Sequence, residues 1–253
     1  MTLSGRVALV TGGGRGIGRA IAVGLAEDGV DVAVNYRRDG AAAADTVAAI
    51  EKLGRKAAAY QAAVESLEED QAMVAAVLRD FGRIDILVNN AGIASRGRSV
   101  VDTDPAEMER VVGIHAFGAF YLSKILLPIM RQQPRGDIVM VSSVATLSNA
   151  ANGSPYNMAK AAMEALALTL ANEERAHNVH VNIVAPGLVD TEMGRRLMKA
   201  VIGIEDLRQL NSSMPFGRVC APEDVANVVR FLVSERAGYV TGQKIYVHGG
   251  GQF

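Results

Sequence analysis

The sequence contains very little cysteine and carries almost no net charge. Cys220 is the single cysteine in 253 residues, so no disulfide can form within the chain. Its scarcity fits a reducing compartment, where disulfides are rare. The formal net charge at pH 7 is −1. A general nucleic-acid-binding protein has a basic footprint, so we expect no nucleic-acid partner.

Long apolar runs are also missing. A membrane-spanning helix needs about 18 or more consecutive apolar residues, and no such run occurs. The opening MTLSGRVALVTGG holds no basic segment followed by an apolar region and a cleavage site. The four histidines are scattered along the sequence and indicate no metal site. We therefore expect a soluble, cytoplasmic protein without a membrane partner or a metal.

What the sequence does contain is an alternation of apolar strand-like runs with longer alanine-rich helical runs. Its composition, 49% hydrophobic and 21% charged, is that of a globular protein with a full core. The strands are apolar nearly throughout, which indicates a sheet buried on both faces. They are predicted at 6–11, 31–36, 56–62, 84–90, 137–143, 179–185 and 244–249.

Helical runs lie between these strands, which implies right-handed βαβ units and a parallel sheet. No linker divides the chain, so we predict one α/β domain over residues 1–253. Its fold is a doubly wound Rossmann type, with about seven parallel strands and helices on both faces. Residues 188–216 are predicted to be an irregular insertion that covers the substrate, because ligands bind beyond the carboxyl ends of strands. The helices are predicted at 16–28, 41–54, 68–81, 104–132 (two helices), 155–176 and 222–234.

A glycine-rich segment, TGGGRGIG at 11–18, falls between the first strand and the first helix. Glycines permit a tight turn there, and the helix N-terminus offers free amides and a positive dipole to a pyrophosphate. The glycines that matter are Gly12, Gly16 and Gly18. Their spacing differs from the G-x-G-x-x-G fingerprint. It is the position after the first strand of an α/β chain that favours dinucleotide binding over a plain tight turn.

The end of the second strand distinguishes NAD from NADP. An acidic residue there binds the ribose hydroxyls of NAD, whereas an arginine suits the 2′-phosphate of NADP. The sequence reads VNYRRDG, with Tyr36 at the acidic position and then Arg37 and Arg38. Arg15 could reach the same phosphate, which arginine binds through charge-assisted bonds. We predict NADP(H); Asp39 leaves NAD open, and the two arginines could instead be a solvated pair.

Tyr156 and Lys160 lie four positions apart at the start of a predicted helix, in SPYNMAKAAM. On a helix they share one face, about 5–6 Å apart at Cβ. A phenol has an ordinary pKa of about 10 and is a poor acid–base catalyst at neutral pH. An adjacent ammonium favours the phenolate, so we expect Lys160 to lower the pKa of Tyr156 into a useful range. Chance pairs at this spacing are common, and the pair alone is a weak signal.

Taken together, the motifs resemble those of the short-chain dehydrogenase/reductase family over essentially the whole chain. Within that family the sequence is most similar to the 3-oxoacyl-[acyl-carrier-protein] reductases and their relatives. The motifs that carry the resemblance are TGGGRGIG (11–18), NNAG (89–92), Ser143, YNMAK (156–160), PGLVDT (186–191) and TGQKIYVHGG (241–250).

The resemblance implies a role for each matching position. Ser143 would hydrogen-bond the substrate carbonyl and Tyr156 would protonate it during reduction. Lys160 would lower the pKa of the tyrosine and bind the nicotinamide ribose. Hydride transfer belongs to the cofactor, and the protein supplies position and electrostatics. The implied cofactor-binding residues are Gly12, Arg15, Gly16, Ile17, Gly18, Arg37, Arg38, Val64, Asn89, Ala91, Gly92, Tyr156, Lys160, Pro186, Gly187, Val189 and Thr191.

Two positions depart from the family pattern. The family usually has an asparagine in the middle helix that helps to hold a water near the lysine, and GIHAFGAF (113–120) has His115 there. Either His115 sustains a similar catalytic relay, with a charge that could change near neutral pH, or it is a tolerated helix residue. Ala63 replaces an aspartate that commonly lies near the adenine, which leaves the backbone of Val64 to frame the ring.

We therefore expect a reversible, NADPH-dependent carbonyl reductase that acts on a 3-oxoacyl thioester or similar ketone, as in fatty acid biosynthesis. A sugar, polyol or steroid dehydrogenase on the same scaffold is the alternative, as is an NADP-binding protein without turnover. The resemblance implies a homotetramer. No basic cluster identifies a dock for acyl-carrier protein, and the apolar residues of 188–216 favour a hydrophobic substrate only mildly.

Overall fold

A parallel β-sheet forms the centre of residues 3–250, which are the residues that the computed structural model describes. The strands are β1 (Val7–Val10), β2 (Asp31–Tyr36), β3 (Ala57–Gln61), β4 (Ile86–Asn89), β5 (Gly136–Val141), β6 (Val179–Pro186) and β7 (Lys244–Val247). Within that range they form one seven-stranded sheet in the order β3-β2-β1-β4-β5-β6-β7. The strand order reverses between β1 and β4, which is where doubly wound sheets bind ligands. The predicted fold class is confirmed.

Helices connect the strands close to the predicted positions. They are α1 (Gly16–Glu27), α2 (Gly40–Glu51), α3 (Leu67–Phe81), α4 (Pro105–Val112), α5 (Gly118–Met130), α6 (Ala145–Ser148), α7 (Ser154–Glu174), α8 (Glu192–Ile202) and α9 (Pro222–Leu232). The two helices predicted at 104–132 are continuous, because a π-helical turn (Gly113–Phe117) joins α4 to α5. The sequence holds no helix-breaking proline at that junction, so the backbone stays helical through it.

Both faces of the sheet are covered by helices. On one face α1 and α9 bury Ile21 and Val229 against the strands. On the other face α3 and α5 bury Val77 and Leu122. Each such side chain contributes roughly 1.5–3 kcal/mol when it is fully buried. Apolar packing on both faces explains why the strands carry almost no alternating polar residues.

Charged side chains bind the amino ends of the central strands to one another. Arg6, just before β1, pairs with buried Asp137 of β5 at 2.6 Å. Asp85, just before β4, accepts a hydrogen bond from the Val7 backbone at 2.8 Å and pairs with Arg83 at 2.6 Å. These bonds tie the amino ends of the central strands together. The functional groups lie at the opposite, carboxyl ends.

The helical stretch Pro105–Met130 is long and apolar enough to cross a membrane, with a mean hydropathy of 1.5. However, 56% of its apolar 18-residue window is buried inside the fold. Scattered polar residues interrupt its apolar sequence, so a search for uninterrupted runs does not detect it.

Candidate active site

The turn between β1 and α1 brings backbone segments very close together. Gly12 and Gly16 have positive φ angles of 60° and 54°, which residues with side chains rarely adopt. Gly18 packs so tightly that an added Cβ would overlap the carbonyl oxygen of Gly12 and the side chain of Asn90. Ile17, between them, is half-buried against the core. The turn therefore needs glycine at the three positions that the sequence singles out.

Polar side chains hold this turn from below. Buried Asn35 of β2 accepts a hydrogen bond from the Gly12 backbone N–H at 3.2 Å. The Thr11 hydroxyl accepts from the backbone N–H groups of Asn90 and Ala91, both at 2.9 Å. The Asn90 side chain donates to the Thr11 carbonyl at 2.8 Å. The sequence does not predict these roles for Thr11 and Asn35, because each acts on residues distant in the chain.

The amino end of α1 is open to an anion. Arg15 precedes the helix with extended backbone, and no side chain hydrogen-bonds the first helical amides. Uncapped amides and the helix dipole attract negative charge, so the turn fits a pyrophosphate. The Arg15 side chain is exposed and pairs with Glu192 at 2.7 Å.

The two arginines that follow β2 differ in their surroundings. Arg37 pairs with Glu65 at 2.7 Å. Arg38 is exposed, and no ion pair within residues 3–250 engages it. The carboxylate of Asp39, which left NAD open, caps α2 by accepting a hydrogen bond from the Ala42 backbone at 3.0 Å. Its engagement with its own helix weakens the case for Asp39 as a ribose ligand.

The floor beside the turn is formed at the end of β4. Asn89 ends that strand and is buried, with its side-chain nitrogen 3.2 Å from the sulfur of Met140. Gly92 provides space for His115, since an added Cβ would overlap the imidazole ring. Val64 is buried alongside, so its side chain supports the floor.

β5 and α7 bring Ser143, Tyr156 and Lys160 together. Ser143 follows β5 by two residues, and Tyr156 lies in the first turn of α7 with Lys160 one turn later. The Lys160 Nζ lies 5.6 Å from the centre of the Tyr156 ring and donates to the Val141 carbonyl at 2.6 Å. The Ser143 side chain lies close enough to the Tyr156 phenol to lower its pKa. The predicted trio thus meets beyond the carboxyl end of β5.

Burial controls the protonation of Tyr156 and Lys160. It raises the pKa of Tyr156, and the nearby Ser143 side chain opposes it only in part. Burial also lowers the pKa of Lys160 to about 7, against the opposing charge of Glu164. The expectation that Lys160 lowers the pKa of Tyr156 is therefore wrong for the chain by itself. A buried phenolate is poorly solvated, and the amine beside it loses its own charge near neutral pH.

His115 lies in the π-helical turn, edge-on to Tyr156 at a ring-centroid distance of 5.3 Å. Burial, followed by the charge of Lys160, lowers the pKa of His115 to about 3. The expectation that its charge could change near neutral pH is wrong, because the site is too dry and too close to a cation. His115 is a neutral imidazole at physiological pH.

The two ring nitrogens of His115 have different surroundings. Nε2 lies 3.1 Å from the backbone nitrogen and 2.9 Å from the carbonyl oxygen of Ile93. Nδ1 is buried and has no hydrogen-bond partner among the described residues. The imidazole borders a cavity of about 10 Å³ that Thr11 and Asn89 also line. That volume accommodates about one water molecule.

The segment after β6 runs back to the glycine turn. Pro186 ends β6, and the Gly187 N–H donates to β7 at 3.0 Å. Val189 is buried. Thr191 caps α8, and its methyl carbon lies 3.3 Å from the position of an added Cβ at Gly16. The structure therefore brings this segment next to the glycine turn. The family resemblance implies a cofactor contact for the same segment.

Residues 188–216, the predicted insertion, contain α8 and two 3₁₀ turns, Leu207–Ser213 and Pro215–Gly217. Several large apolar side chains are exposed there, including Val201, Ile202 and Phe216. The same segment holds an open cleft of about 420 Å³ that is lined by charged residues, namely Asp190, Arg195, Glu205, Asp206 and Arg208.

A polar cluster behind Ser143 is not predicted from the sequence; we call it the Glu164 cluster, and it comprises Ser142, Thr146, Glu164 and Lys244. Glu164 accepts hydrogen bonds from the Ser142 hydroxyl and, at 2.9 Å, from the Thr146 hydroxyl. Lys244 donates to Glu164 at 2.8 Å and to Thr146 at 2.6 Å. The position of Glu164, four residues after Lys160, could have indicated from the sequence that the two share a helix face. No local sequence pattern indicates that Lys244 belongs to the cluster.

Comparison with known proteins agrees with this geometry. Residues 12–252 match a family model described as enoyl-(acyl carrier protein) reductase. The 3-oxoacyl-[acyl-carrier-protein] reductase of Synechocystis sp. is 37% identical, covering 98% of this chain and 97% of that protein. L-rhamnose 1-dehydrogenase (NAD(P)(+)) of Sphingomonas sp. is 35% identical, covering 98% and 96%. A short-chain dehydrogenase of Burkholderia cenocepacia solved in complex with NADP has a TM-score of 0.88 and 34% identity, covering 99% of each chain.

The fold and the site together define an oxidoreductase that uses a nicotinamide cofactor for carbonyl/alcohol chemistry. The chain belongs to the short-chain dehydrogenase/reductase family. The resemblance found in the sequence is confirmed.

Proposed function

We propose that the protein is an NADPH-dependent reductase that converts a carbonyl to a hydroxyl, reversibly. The observation that carries the proposal is that Ser143, Tyr156 and Lys160 come together beyond the carboxyl end of β5, at the same end of the sheet as the glycine turn. Titratable groups held in dry surroundings beside an anion-binding turn are typical of an active site.

In this proposal Tyr156 acts as the proton donor. Its raised pKa keeps the phenol protonated at neutral pH, which is the form needed to protonate a carbonyl oxygen. Ser143, close to that phenol, would orient the carbonyl toward it. Lys160 would hold the cofactor ribose while it is charged, below its pKa of about 7. NADPH, when bound, supplies the hydride.

The preference for NADPH rests on Arg37 and Arg38, which follow β2, and on Arg15 in the glycine turn. Arg38 has no ion-pair partner among residues 3–250, so its guanidinium is available to a 2′-phosphate without breaking a contact. Arg15 and Arg37 would exchange surface pairs with Glu192 and Glu65 for the phosphate. Such exposed pairs are worth about 0–1 kcal/mol, less than a charge-assisted bond to phosphate.

Cofactor titration tests this preference directly. Arg38→Leu should weaken NADPH binding about tenfold and leave NADH binding unchanged, because only NADPH carries the extra phosphate. Arg236→Leu, at an exposed arginine in the 3₁₀ turn after α9, is the matched control and should change neither. Equal weakening of both cofactors by Arg38→Leu would contradict the proposed contact.

For the substrate we propose a 3-oxoacyl thioester or similar ketone, as in fatty acid biosynthesis. The 3-oxoacyl-[acyl-carrier-protein] reductase relative and the exposed apolar side chains of 188–216 support it. We propose that this segment is the substrate lid. The rhamnose dehydrogenase relative favours a second candidate, a polar sugar or polyol.

A substrate panel separates these candidates. NADPH and NADH oxidation would be followed with acetoacetyl thioesters and simple diketones, and the reverse reaction with sugars, polyols and hydroxysteroids. Turnover of the thioester by the parent, lost in Tyr156→Phe, supports the leading proposal. Turnover of polyols alone supports the second candidate. Tight NADPH binding without oxidation by any carbonyl would indicate a binding protein instead.

We also propose a cytoplasmic homotetramer. α5, the π-helical turn and α7 leave large apolar side chains exposed, among them Phe117, Phe120 and Met158. Monomeric proteins seldom expose several such groups together, so a second copy is a suitable cover. Light scattering after size-exclusion chromatography should give about four times the 26.7 kDa chain mass. A monomer at micromolar concentration would contradict the proposal.

A further inference from the structure

Two side chains one turn apart on α7 bind two consecutive residues at the end of β5. Lys160 donates to the Val141 carbonyl at 2.6 Å, and Glu164 accepts from the Ser142 hydroxyl. The next residue in the chain is Ser143. The position of Ser143 relative to Tyr156 therefore depends on these two hydrogen bonds between α7 and the end of β5.

The Glu164 cluster adds hydrogen bonds from two further elements, α6 and β7. The Thr146 hydroxyl, in α6, lies 2.9 Å from Glu164 and 3.0 Å from the Ser143 carbonyl, and its single proton can be donated to either. Lys244, in β7, pairs with Glu164 at 2.8 Å. The side chains of Glu164 and Lys244 are only 14% and 20% exposed, so their charges act through a partly dry medium.

We propose that Glu164 and Lys244 are positioning residues that set the charge state of Lys160 and the placement of Ser143. The inference deepens the proposed function and depends on it only for a kinetic measurement. Glu164 faces Lys160 from the next turn of α7 and stabilises its ammonium. Lys244 faces Glu164 from β7 and withdraws part of that stabilisation, so the two residues act in opposite directions.

The other titratable groups around Lys160 do not replace this pair. Tyr156 precedes it on α7 and is a neutral phenol, and His115 faces it from the π-helical turn as a neutral imidazole. β5 presents only the Val141 carbonyl to the amine. Among the described residues, Glu164 is the carboxylate whose charge acts on Lys160.

The test uses the full chain and two variants with opposite expected effects. Glu164→Gln keeps side-chain hydrogen-bonding atoms but removes the negative charge, so the midpoint of Lys160 titration should move down by about one pH unit. Lys244→Met frees Glu164 from its cation, so the midpoint should move up by a similar amount. NMR of lysine labelled with ¹³C at Cε reports the midpoint directly, and Lys160→Met assigns the signal.

Controls separate charge from folding and from the proposed reaction. Glu173→Gln, exposed on the same helix, should leave the midpoint unchanged. The double variant Glu164→Gln/Lys244→Met should keep the downward shift of Glu164→Gln, because Lys244 acts through the Glu164 charge. Shifts in the same direction, or no shift, would overturn the inference. If Glu164→Gln does not fold, Lys244→Met decides alone by an upward shift or its absence.

The titration needs neither cofactor nor substrate, so it stands even if no ketone is turned over. Where turnover exists, the fall in kcat at high pH should follow the Lys160 midpoint in each variant, with KM for the substrate little changed. A matching NMR shift without any change in the kcat profile would leave the electrostatic role standing and refute its part in catalysis.

Discussion

The glycine turn between β1 and α1 and the wall made by β5, α6 and α7 hold their functional groups by different means. In the turn, backbone geometry does the work: Gly12 and Gly16 take positive φ angles, and Gly18 has no room for a side chain. In the wall, side chains make the contacts: Lys160 donates to the Val141 carbonyl, and Glu164 pairs with Lys244 and accepts from the Ser142 hydroxyl.

This difference separates affinity from chemistry. Backbone amides cannot lose their protons, so the anion site of the turn is the same at every physiological pH. The wall holds groups whose charge depends on burial and on their neighbours, and Lys160 titrates near pH 7. Changes in the turn should alter cofactor binding, and changes in the wall should alter the rate and its pH dependence.

The largest expected effect lies in the wall. Tyr156→Phe removes the proposed proton donor, so kcat should fall about 1,000-fold, within the range for loss of general acid catalysis. Cofactor affinity, measured by fluorescence titration, should stay at the parent value because the glycine turn is untouched. A variant with normal turnover would show that another group protonates the substrate.

The converse change lies in the turn. An added Cβ in Gly18→Ala would overlap the Gly12 carbonyl oxygen, and overpacking of this kind costs about 1–3 kcal/mol. Cofactor affinity should therefore fall roughly tenfold to a hundredfold. Gly24→Ala, on the same helix, presses only on the flexible Arg230 side chain and serves as control. Equal affinities in the two variants would break the comparison.

A smaller effect, on stability, is expected at a buried carboxyl group without a hydrogen-bond partner among the described residues. Asp70 of α3 is 0% exposed, and neither carboxylate oxygen has a hydrogen-bond partner among the described residues. Burial, with repulsion from Glu65 and Glu69, raises its pKa to about 8. The folded chain keeps a proton there that the unfolded chain loses, so this group reduces stability as pH rises from about 4 to 8.

Asp70→Asn removes that penalty. The variant should be about 1–3 kcal/mol more stable than the parent at pH 9 and equally stable near pH 4, as measured by urea denaturation. A difference that is the same at both pH values would mean that the carboxyl is not buried in its neutral form.

The smallest effect is expected at His115. With a pKa of about 3 it stays neutral, so His115→Asn should leave the pH profile of kcat unchanged between pH 5 and 9. The rate itself should change little if asparagine can bind the Ile93 backbone as the imidazole does. A shifted pH midpoint in this variant would show that His115 carries charge in the working enzyme.

Local patterns were sufficient for the turn and insufficient for the wall. Gly12 and Gly18 are identifiable because a strand, a glycine turn and a helix follow one another in the sequence. Tyr156 and Lys160 are identifiable from their helical spacing together with the other motifs of the resemblance, but the direction of the Tyr156 pKa is not, because burial depends on the packed fold. Lys244 lies 80 residues from Glu164, and no local signal connects them.

The place of Lys244 in the last strand of the sheet has a consequence for biosynthesis. A chain emerging from the ribosome presents β1, α1 and β2 first, but the glycine turn between them is held by Asn90 and becomes complete only after β4 has been made. β7 emerges after every other strand, and only then can its ammonium reach Glu164. The surroundings of Ser143 and Lys160 are therefore complete only when the seventh strand has joined the sheet.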